Sequence, residues 1–375
     1  MTFRFIHTGD LHLGKRFGQF PGDLPAKLRE ARHGVLAKLA PPARQPDAAT
    51  ILVAGDTFDP ETPAPDIRRQ ALAEMGHHPA LRWVILPGNH DSLQAAHLWA
   101  ALKSEAPDNV VLAVEPRPLE LAPGIVLLPA PCTARRPGRD LTEWMDGAAT
   151  PEGAIRLGLA HGAVQRFSEE GDGLEIIAPD RARRAGLAYL ALGDWHGGVE
   201  IDPRTRYCGT PEPDRFKHDR PGESLLVSLQ APMAEPEVTS LATGSFAWRT
   251  VPLDLLDGDD PAARLAEVLP ERRSRRQTLM RLVASGRIAL EGRTALSTAF
   301  DHAGPDFAFL ELDDGGLETE CEAGDLDRID RGGALREAAD MLLAEAEDLR
   351  RSGEERDIAR AALARLYFHA RAVEP

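Results

Sequence analysis

Short apolar runs alternate with longer mixed stretches over residues 1–255. The runs are often β-branched, as buried strands are, and several stretches between them have a helical pattern. We therefore expect an α/β fold with helices Leu24–Ala40, Asp66–His77 and Leu93–Lys103 and strands Phe3–His7, Thr50–Ala54, Arg82–Leu86, Val110–Val114, Ile125–Pro129, Ile155–Ala160 and Leu187–Leu192. Two later strands, Leu225–Gln230 and Ala247–Leu253, would complete a two-sheet core.

A different pattern follows a polar, turn-forming segment that begins at Asp257, and we interpret this segment as a domain boundary. Beyond it the pattern predicts a small α+β unit, with a helix at Ala262–Leu269 and strands at Gln277–Val283 and Asp306–Leu312. An acidic stretch from Glu311 to Asp330 precedes two predicted helices, Ala334–Arg350 and Glu354–Ala370. Their predicted apolar faces consist of Leu335, Ala338, Leu342 and Leu349 in the first and Ile358, Ala361, Ala362, Leu366 and Phe368 in the second. The predicted domains are therefore 1–255, 261–330 and 334–371.

Composition narrows the class of protein. Hydrophobic residues make up 43% of the chain, which is enough for real cores, and no apolar run approaches the roughly 20 residues of a membrane span. The first strand begins at Phe3, so no signal peptide is expected. The three cysteines, Cys132, Cys208 and Cys321, are far apart and predict neither a disulfide framework nor a zinc ribbon. We expect a cytoplasmic protein without a membrane partner.

The formal net charge of −15 argues against binding of nucleic acid by bulk electrostatics, so contact with DNA would need local patches, metal ions or a partner. The densest basic run is Arg272, Arg273, Arg275 and Arg276. It could contact phosphates, although a solvated charge run is the simpler interpretation.

Five clusters of polar side chains each follow a predicted strand. They are Gly9-Asp10-Leu11-His12, Gly55-Asp56-Thr57-Phe58-Asp59, Gly88-Asn89-His90-Asp91, Ala160-His161-Gly162 and Gly193-Asp194-Trp195-His196. A single cluster of this kind is usually a loop pair or a turn. Five in succession at strand ends would instead deliver carboxylates, imidazoles and an amide to one pocket. This set of donors suits two divalent ions about 3.5–4 Å apart, which favour hydrolysis of phosphate esters.

The spacing within the clusters supports shared ligation. Asp10 and His12 alternate by two, so both can point to the same side of an extended strand end and chelate one ion. Asp56 has two carboxylate oxygens and can bridge two ions. The candidate metal ligands are Asp10, His12, Asp56, Asn89, His161, Asp194 and His196. His90 is the candidate general acid, Asp91 is the candidate to orient it, and Asp59 is a candidate to support a ligand. His7 and the other histidines lack this spacing, and we expect them in the core or at the surface.

The order of these motifs resembles that of the calcineurin-like metallophosphoesterases. Gly9-Asp10-Leu11-His12-Leu13-Gly14, Ala54-Gly55-Asp56-Thr57-Phe58-Asp59 and Tyr207-Cys208-Gly209-Thr210-Pro211-Glu212 resemble segments of the SbcD-type nuclease subunits of double-strand-break repair. The resemblance covers about residues 1–215. It implies a β-sandwich flanked by helices, a capping domain that matches about 261–330, and two metal ions. Manganese (Mn²⁺) is the expected metal, with iron and zinc as alternatives.

The resemblance also implies roles for individual residues. The first metal would take Asp10, His12, Asp56 and His196, and the second would take Asp56, Asn89, His161 and Asp194. His90 would be the catalytic acid. One motif departs from the family pattern, which usually has Gly-His-x-His where this chain has Gly193-Asp194-Trp195-His196. A carboxylate at position 194 can still bind metal, but its added charge should weaken the Lewis acidity of that ion and favour harder ions.

These features predict a metal-dependent phosphodiesterase, the nuclease subunit of a repair complex that acts on DNA ends. Hydroxide formed at the metal centre would attack phosphorus, and His90 would protonate the departing 3′ oxygen. The resemblance implies two further partners. The C-terminal helical pair would dock on an SMC-like, SbcC-type ATPase subunit, unless it packs on its own domain. Leu24–Ala40 would pair across a homodimer, unless it serves core packing. The rival functions are a phosphoesterase for nucleotides or cyclic nucleotides and a weakly active scaffold that regulates an ATPase.

Overall fold

The structure is a computed structural model. It describes all residues except 1, 44–47, 166–175, 218, 233, 257, 321–332 and 374–375. The chain divides into two compact units, Met1–Trp248 and Arg249–Pro375. None of the described helices combines the length and the apolar character that a membrane span requires. Cys132 and Cys208 are free and buried, whereas Cys321 lies outside the described residues.

The first unit contains two sheets, each with six strands among the described residues. In the first sheet, β1 (Phe3–Thr8), β2 (Thr50–Val53), β3 (Arg82–Ile85) and β4 (Val110–Leu112) are parallel neighbours in that order. In the second sheet, β5 (Leu119–Ala122) is antiparallel to β6 (Ile125–Ala130), which is followed by the parallel strands β7 (Ile155–His161) and β8 (Tyr189–Gly193). Beyond β8 lie β10 (Thr205–Tyr207) and then β9 (Val199–Asp202). The first sheet is extended on the side of β1 by the antiparallel strands β11 (Glu223–Leu229) and β12 (Glu237–Ala242).

Alternate residues of each central strand enter different cores, because successive side chains of a strand point to opposite faces. Ile6 packs with residues of α1 (Leu24–Ala43), α2 (Pro65–Gly76) and α3 (Ala96–Glu105), while Phe5 packs between the two sheets with Tyr189. A third core on the outer side of the second sheet includes residues of the short helix α4 (Arg181–Arg184). The predicted α/β fold, a β-sandwich flanked by helices, is therefore confirmed. Val35, Leu36, Leu39 and Ala40 of α1 lie in the first core. This packing agrees with the prediction that the helix serves the core of its own domain.

The second unit is built on a three-stranded sheet. Its strands are β13 (Ala247–Leu255), β14 (Thr278–Ala289) and β15 (Phe309–Glu320), and β14 and β15 are parallel. The prediction that Ala247–Leu253 completes the two-sheet core was therefore wrong. Leu253 and Leu255 instead pack with Met280, Leu282 and other residues of this unit. The remaining helices are α5 (Pro261–Val268), α6 (Arg272–Arg275), α7 (Leu290–Ala303), α8 (Ala334–Glu347) and α9 (Gly353–Val373).

The two C-terminal helices pack on each other, and α9 also packs on α7. Of the predicted faces, Leu342 and Leu366 are partly buried at this contact, but the fully buried residues are others. Ala339, Leu363 and Tyr367 are buried together with Leu290, while Leu335 is 48% exposed and Ile358 is 63% exposed. In α9 the buried stripe lies one position further along the chain than predicted. Neighbouring apolar positions offered both stripes, and helical periodicity alone did not choose between them. The side chain of Phe368 and the acidic stretch after Glu320 lie outside the described residues.

Candidate metal centre

The predicted clusters lie at the carboxyl ends of parallel strands. Asp10 and His12 follow β1, Asp56 follows β2, and Asn89, His90 and Asp91 follow β3, whereas His161 ends β7 and Asp194 and His196 follow β8. Two sheets thus contribute to one site. Potential ligand atoms lie within 4.8 Å of one another in three overlapping groups: Asp10, His12 and His196; His12, Asp56 and His90; Asp10, Asp56 and His161. The structure therefore brings together donors that are up to 186 residues apart (196 − 10) in the chain.

Three imidazoles of this cluster share one orientation. The Nδ1 of His161 lies 2.8 Å from the carbonyl oxygen of Ala54, which can only accept, so this Nδ1 carries the hydrogen and Nε2 has the lone pair. The Nδ1 of His196 lies 3.1 Å from Asp214 Oδ1. Each ring is thus held from outside through Nδ1 and presents Nε2 to the cluster, as metal-bound histidines do.

His12 follows the same rule. Its Nδ1 lies 3.3 Å from Asp59 Oδ1, and its Nε2 lies 3.2 Å from the Nε2 of His196. Asp59 therefore lies beside this candidate ligand, and its role as a support stays a prediction. Burial lowers the pKa of His12 well below its ordinary value, and burial also lowers the pKa of His196 although the hydrogen bond to Asp214 opposes it. Both rings are consequently neutral near pH 7, the form that binds metal.

The buried polar atoms at the cluster that have no hydrogen-bond partner among the described residues include two potential metal ligands, Asn89 Oδ1 and His161 Nε2. The amide of Asn89 is oriented by its other end, because Nδ2 donates to Asp194 Oδ1 at 3.2 Å. Asp194 Oδ1 also lies 3.6 Å from His161 Nε2. Buried acceptors are rarely left without partners, and these two are the ligand types that a divalent cation accepts. The donors present therefore fit a metal ion.

The buried carboxylates lead to the same conclusion. Burial raises the pKa of Asp10 and of Asp56 well above the ordinary aspartate value, and neighbouring carboxylates add to the increase. Asp56 Oδ2 lies 3.7 Å from His12 Nε2 and 3.5 Å from His161 Nε2, so it sits between two imidazoles. A cation at this point would offset the repulsion and keep the carboxylates ionised.

The backbone at the cluster is held in an unusual conformation. Asp10, His12, Asp56 and Asp194 have φ angles of 50°, 43°, 52° and 102°. Non-glycine residues rarely adopt this left-handed region, and each costs about 1–3 kcal/mol. The glycines before two of these residues allow close approach of the loops. A Cβ at Gly193 would collide with the carbonyl oxygen of Ala54, and a Cβ at Gly55 would collide with the His161 ring.

His90 lies at the open side of the cluster. Its Nδ1 is 2.9 Å from the carbonyl oxygen of Asp59, its backbone N–H donates to Asp56 Oδ1 at 2.8 Å, and its ring is 4.8 Å from the His12 ring. The carboxylate of Asp91 accepts hydrogen bonds from the backbone N–H groups of Gly88 at 2.7 Å and Phe58 at 3.1 Å. Asp91 thus connects two backbone loops and does not contact the His90 ring in these hydrogen bonds. The His90 imidazole is oriented by the Asp59 carbonyl, and not by Asp91 as predicted.

Two residues that support the cluster were missed in the sequence. Arg32 is 2% exposed and donates to the carbonyl oxygens of Leu11, Asp10 and Glu212 at 2.8, 3.0 and 2.8 Å. Its signal was a charge on the apolar face of α1, which also carries Leu28 and Leu36. Asp214 is 2% exposed; burial acts to raise its pKa, but the His196 hydrogen bond and nearby cations hold that pKa well below the ordinary value. No local pattern marked Asp214.

His7 lies in the core, one of the two locations expected for it. It is fully buried, with Nδ1 3.0 Å from the Tyr189 hydroxyl and Nε2 3.2 Å from the Leu192 carbonyl oxygen. Burial lowers the pKa of His7 to about 3. It is a satisfied core residue on β1, outside the candidate ligand set.

Comparisons with known proteins bear on the class of this site. No curated protein matches the chain. Among solved structures, that of TT1561 of Thermus thermophilus is similar, with 10% identity, 65% of this chain and 100% of that chain covered, and a TM-score of 0.38. A second crystal structure has 11% identity, the same coverage and a TM-score of 0.38. Residues 3–184 match the family model of the calcineurin-like phosphoesterases. This match supports a calcineurin-like phosphoesterase domain in the first unit, a family that indicates metal-dependent phosphoester hydrolysis. The finer resemblance to SbcD-type subunits stays a prediction.

Proposed function

We propose that this chain is a two-metal-dependent phosphodiesterase that cleaves DNA at or near its ends. The observation that carries the proposal is the convergence of the Nε2 atoms of His12 and His161 on the Asp56 carboxylate, with His196 Nε2 3.2 Å from His12 Nε2 and an unpartnered amide oxygen at the same cluster. Structural roles do not explain this arrangement, because it leaves buried acceptors unsatisfied.

The proposed ligands fall into two sets that share Asp56. The first set is Asp10, His12, Asp56 and His196, and the second is Asp56, Asn89, His161 and Asp194. Two divalent cations, with manganese as the expected metal, would supply Lewis acidity towards phosphoryl oxygens and lower the pKa of a water molecule. The protein fixes the donors through the contacts of Asp59, Asp214 and the Ala54 carbonyl.

His90 is the proposed general acid. Its Nδ1 is engaged with the Asp59 carbonyl oxygen, so Nε2 is the atom that can hold and deliver a proton. The residue is partly exposed, which gives a substrate access to that nitrogen. In the proposed hydrolysis the oxygen of a water molecule forms a new bond to phosphorus while the bond from phosphorus to the 3′ oxygen breaks, and His90 Nε2 protonates the departing 3′ oxygen.

Two considerations bear on DNA as the substrate. The motif resemblance supports it, whereas the net charge of −15 favours the second candidate, a phosphoesterase for small molecules such as nucleotides. The basic run of the second unit adds little support, because Arg275 lies 3.2 Å from Asp306 and Arg273 lies 2.8 Å from Glu271.

Hydrolysis assays with manganese separate the candidates. We expect the protein to degrade linear DNA and to hydrolyse bis-p-nitrophenyl phosphate. The variant His90→Asn should keep its metal content, measured by elemental analysis, and lose about 10²–10⁴-fold in kcat on DNA. Full activity of His90→Asn would refute its role as the acid. Hydrolysis of bis-p-nitrophenyl phosphate without loss of DNA would favour the small-molecule enzyme, and fewer than two ions per chain with no turnover would favour a regulatory scaffold.

We also propose the SMC-like, SbcC-type ATPase as a partner of the helical pair α8 and α9. Met341 and Ile358 are 65% and 63% exposed, which supports a surface that another protein covers. A homodimer likewise stays a proposal. Co-elution of the two subunits in gel filtration, lost in Met341→Asp and kept in wild type, would support the ATPase partner.

A further inference from the structure

A shallow depression adjoins the cluster on the side of His196. Its lining includes Thr210, Pro213, Asp214, Arg215, Arg220 and Pro221 as well as His196. His196 is the residue that connects the depression with the proposed metal ligands. A group bound there would therefore lie directly beside the reacting phosphate.

The depression is locally basic, although the chain as a whole carries a net charge of −15. Asp214 is the carboxylate of the lining, and it is already engaged by Lys15 Nζ at 2.5 Å, by His196 Nδ1 at 3.1 Å and by Arg215 Nε at 3.1 Å. The lining therefore holds one carboxylate, which Lys15 from outside the lining also neutralises, and two positive side chains, Arg215 and Arg220. This excess of positive charge suits an anion.

The position of Arg215 strengthens the argument. Its Nη2 lies 3.5 Å from His196 Nε2, the nitrogen that would bind a cation. A divalent cation held by His196 would add a second positive charge near this guanidinium, and an anion bound beside both would offset the repulsion. Arg220 is steadied by one hydrogen bond, from Nη1 to the Gly198 carbonyl oxygen at 3.1 Å, which uses one of its five N–H donors. The planar fork of arginine matches phosphate geometry.

We propose that Arg215 and Arg220 form a subsite for a phosphate group that flanks the scissile phosphate. The preferred substrate class is then a polynucleotide strand with at least two adjacent phosphates, and a diester with a single phosphate would be a poorer substrate. This inference rests on the proposed function and extends it from the reaction to the substrate class.

The test compares a short oligothymidylate with bis-p-nitrophenyl phosphate, which has one phosphate. Arg215→Gln and Arg220→Gln should each raise KM for the oligonucleotide about ten-fold more than KM for bis-p-nitrophenyl phosphate, as loss of one charge-assisted hydrogen bond predicts. Substrate binding is lost more than turnover, so the change should appear mainly in KM. The control is Arg117→Gln, whose exposed side chain pairs with Glu115, and it should leave both KM values unchanged.

A neutral methylphosphonate in place of the phosphate next to the scissile bond provides a second comparison. With the wild type, the methylphosphonate should raise KM for the oligonucleotide about as much as each arginine substitution does. With the arginine variants, it should raise KM little further. Equal losses on both substrates, or additive losses with the methylphosphonate, would overturn the subsite.

Failure of the proposed function is distinguishable from failure of the subsite. If the wild type hydrolyses neither substrate, the proposed function is contradicted, and fluorescence anisotropy of a labelled oligothymidylate in EDTA then decides the inference. Each arginine variant should bind the oligothymidylate more weakly than the Arg117→Gln control does. The slope of log K against log salt should be smaller in magnitude by about 0.7 for each arginine variant. Unchanged affinity and slope would overturn the subsite.

Discussion

Arg32 provides the sharpest test of how the chain supports its candidate metal centre. Its guanidinium contacts three carbonyl oxygens, two of which belong to the loop that carries Asp10 and His12, and its Nη2 lies 3.3 Å from the Thr210 hydroxyl. The loop has left-handed backbone at both ligand positions. Replacement of Arg32 by methionine keeps an apolar stem of similar length and removes every donor.

The expected loss of stability follows from the acceptors left behind. A buried acceptor without a partner costs about 1–3 kcal/mol. The Thr210 hydroxyl can still donate its one hydrogen to the carbonyl oxygen of Asp10 or of Glu212, so Arg32→Met leaves the Leu11 oxygen and one of these two without a partner. Burial of the Arg32 charge is itself unfavourable, and it lowers the pKa of Arg32. Removal of the guanidinium removes this cost and so offsets part of the loss. The two effects together leave a destabilisation of about 3–5 kcal/mol for Arg32→Met, within the range measured when one partner of a buried charged network is deleted. Arg32→Lys keeps the positive charge but has fewer donors, so its free energy of unfolding should lie between those of the wild type and Arg32→Met.

Urea unfolding in EDTA measures this difference, with Arg29→Met on the exposed side of the same helix as the control. Isothermal titration with manganese should show affinity that is about 10–100-fold weaker for Arg32→Met, because the loop no longer holds its ligands in place. A free energy of unfolding within about 0.5 kcal/mol of the Arg29→Met control would refute the reasoning.

Three further predictions concern single contacts. Asp214→Asn should weaken manganese binding about 10–100-fold, since the His196 ring loses the carboxylate that fixes it, and unchanged affinity in calorimetry would contradict this role. Asp194→Ala should reduce manganese from two ions to one per chain in elemental analysis, and two tightly bound ions would show that Asp194 is not a ligand. The pKa of His7 is about 3, below the ordinary 6.5, so protons bind the unfolded state first. As pH falls from 6.5 to 3, the free energy of unfolding of the metal-free wild type should therefore decrease by up to about 5 kcal/mol relative to that of His7→Phe. Parallel pH profiles of the two proteins in urea unfolding would contradict this prediction.

Local signals in the sequence predicted the strands and the clusters that follow them. Each cluster sits within a few residues of an apolar run, so Asp10, Asp56 and His161 could be placed at strand ends without knowledge of the fold. The supports of the cluster depend on contacts across the chain instead. Arg32 donates to a carbonyl 180 residues away, and no spacing rule connects Arg32 with Glu212.

Two of the three wrong expectations have a related cause. β13 has the apolar pattern of a core strand, and the pattern does not say which sheet it joins. The C-terminal helices have apolar residues on adjacent stripes, and only their packing on each other and on Leu290 of α7 decides that Ala339, Leu363 and Tyr367 are buried. The role of Asp91 was misjudged for the opposite reason, because adjacency to His90 in the chain was taken for contact in space.

The split origin of the donors has a consequence for biogenesis. A nascent chain emerging from the ribosome completes β1, β2 and β3 early and can then present only the carboxylates and imidazole of the first sheet. His161 and His196 arrive more than 100 residues after Asp56 (161 − 56 = 105), at the ends of strands of the opposite layer. If the proposed centre binds metal, the complete ligand set forms only after both layers have closed on each other.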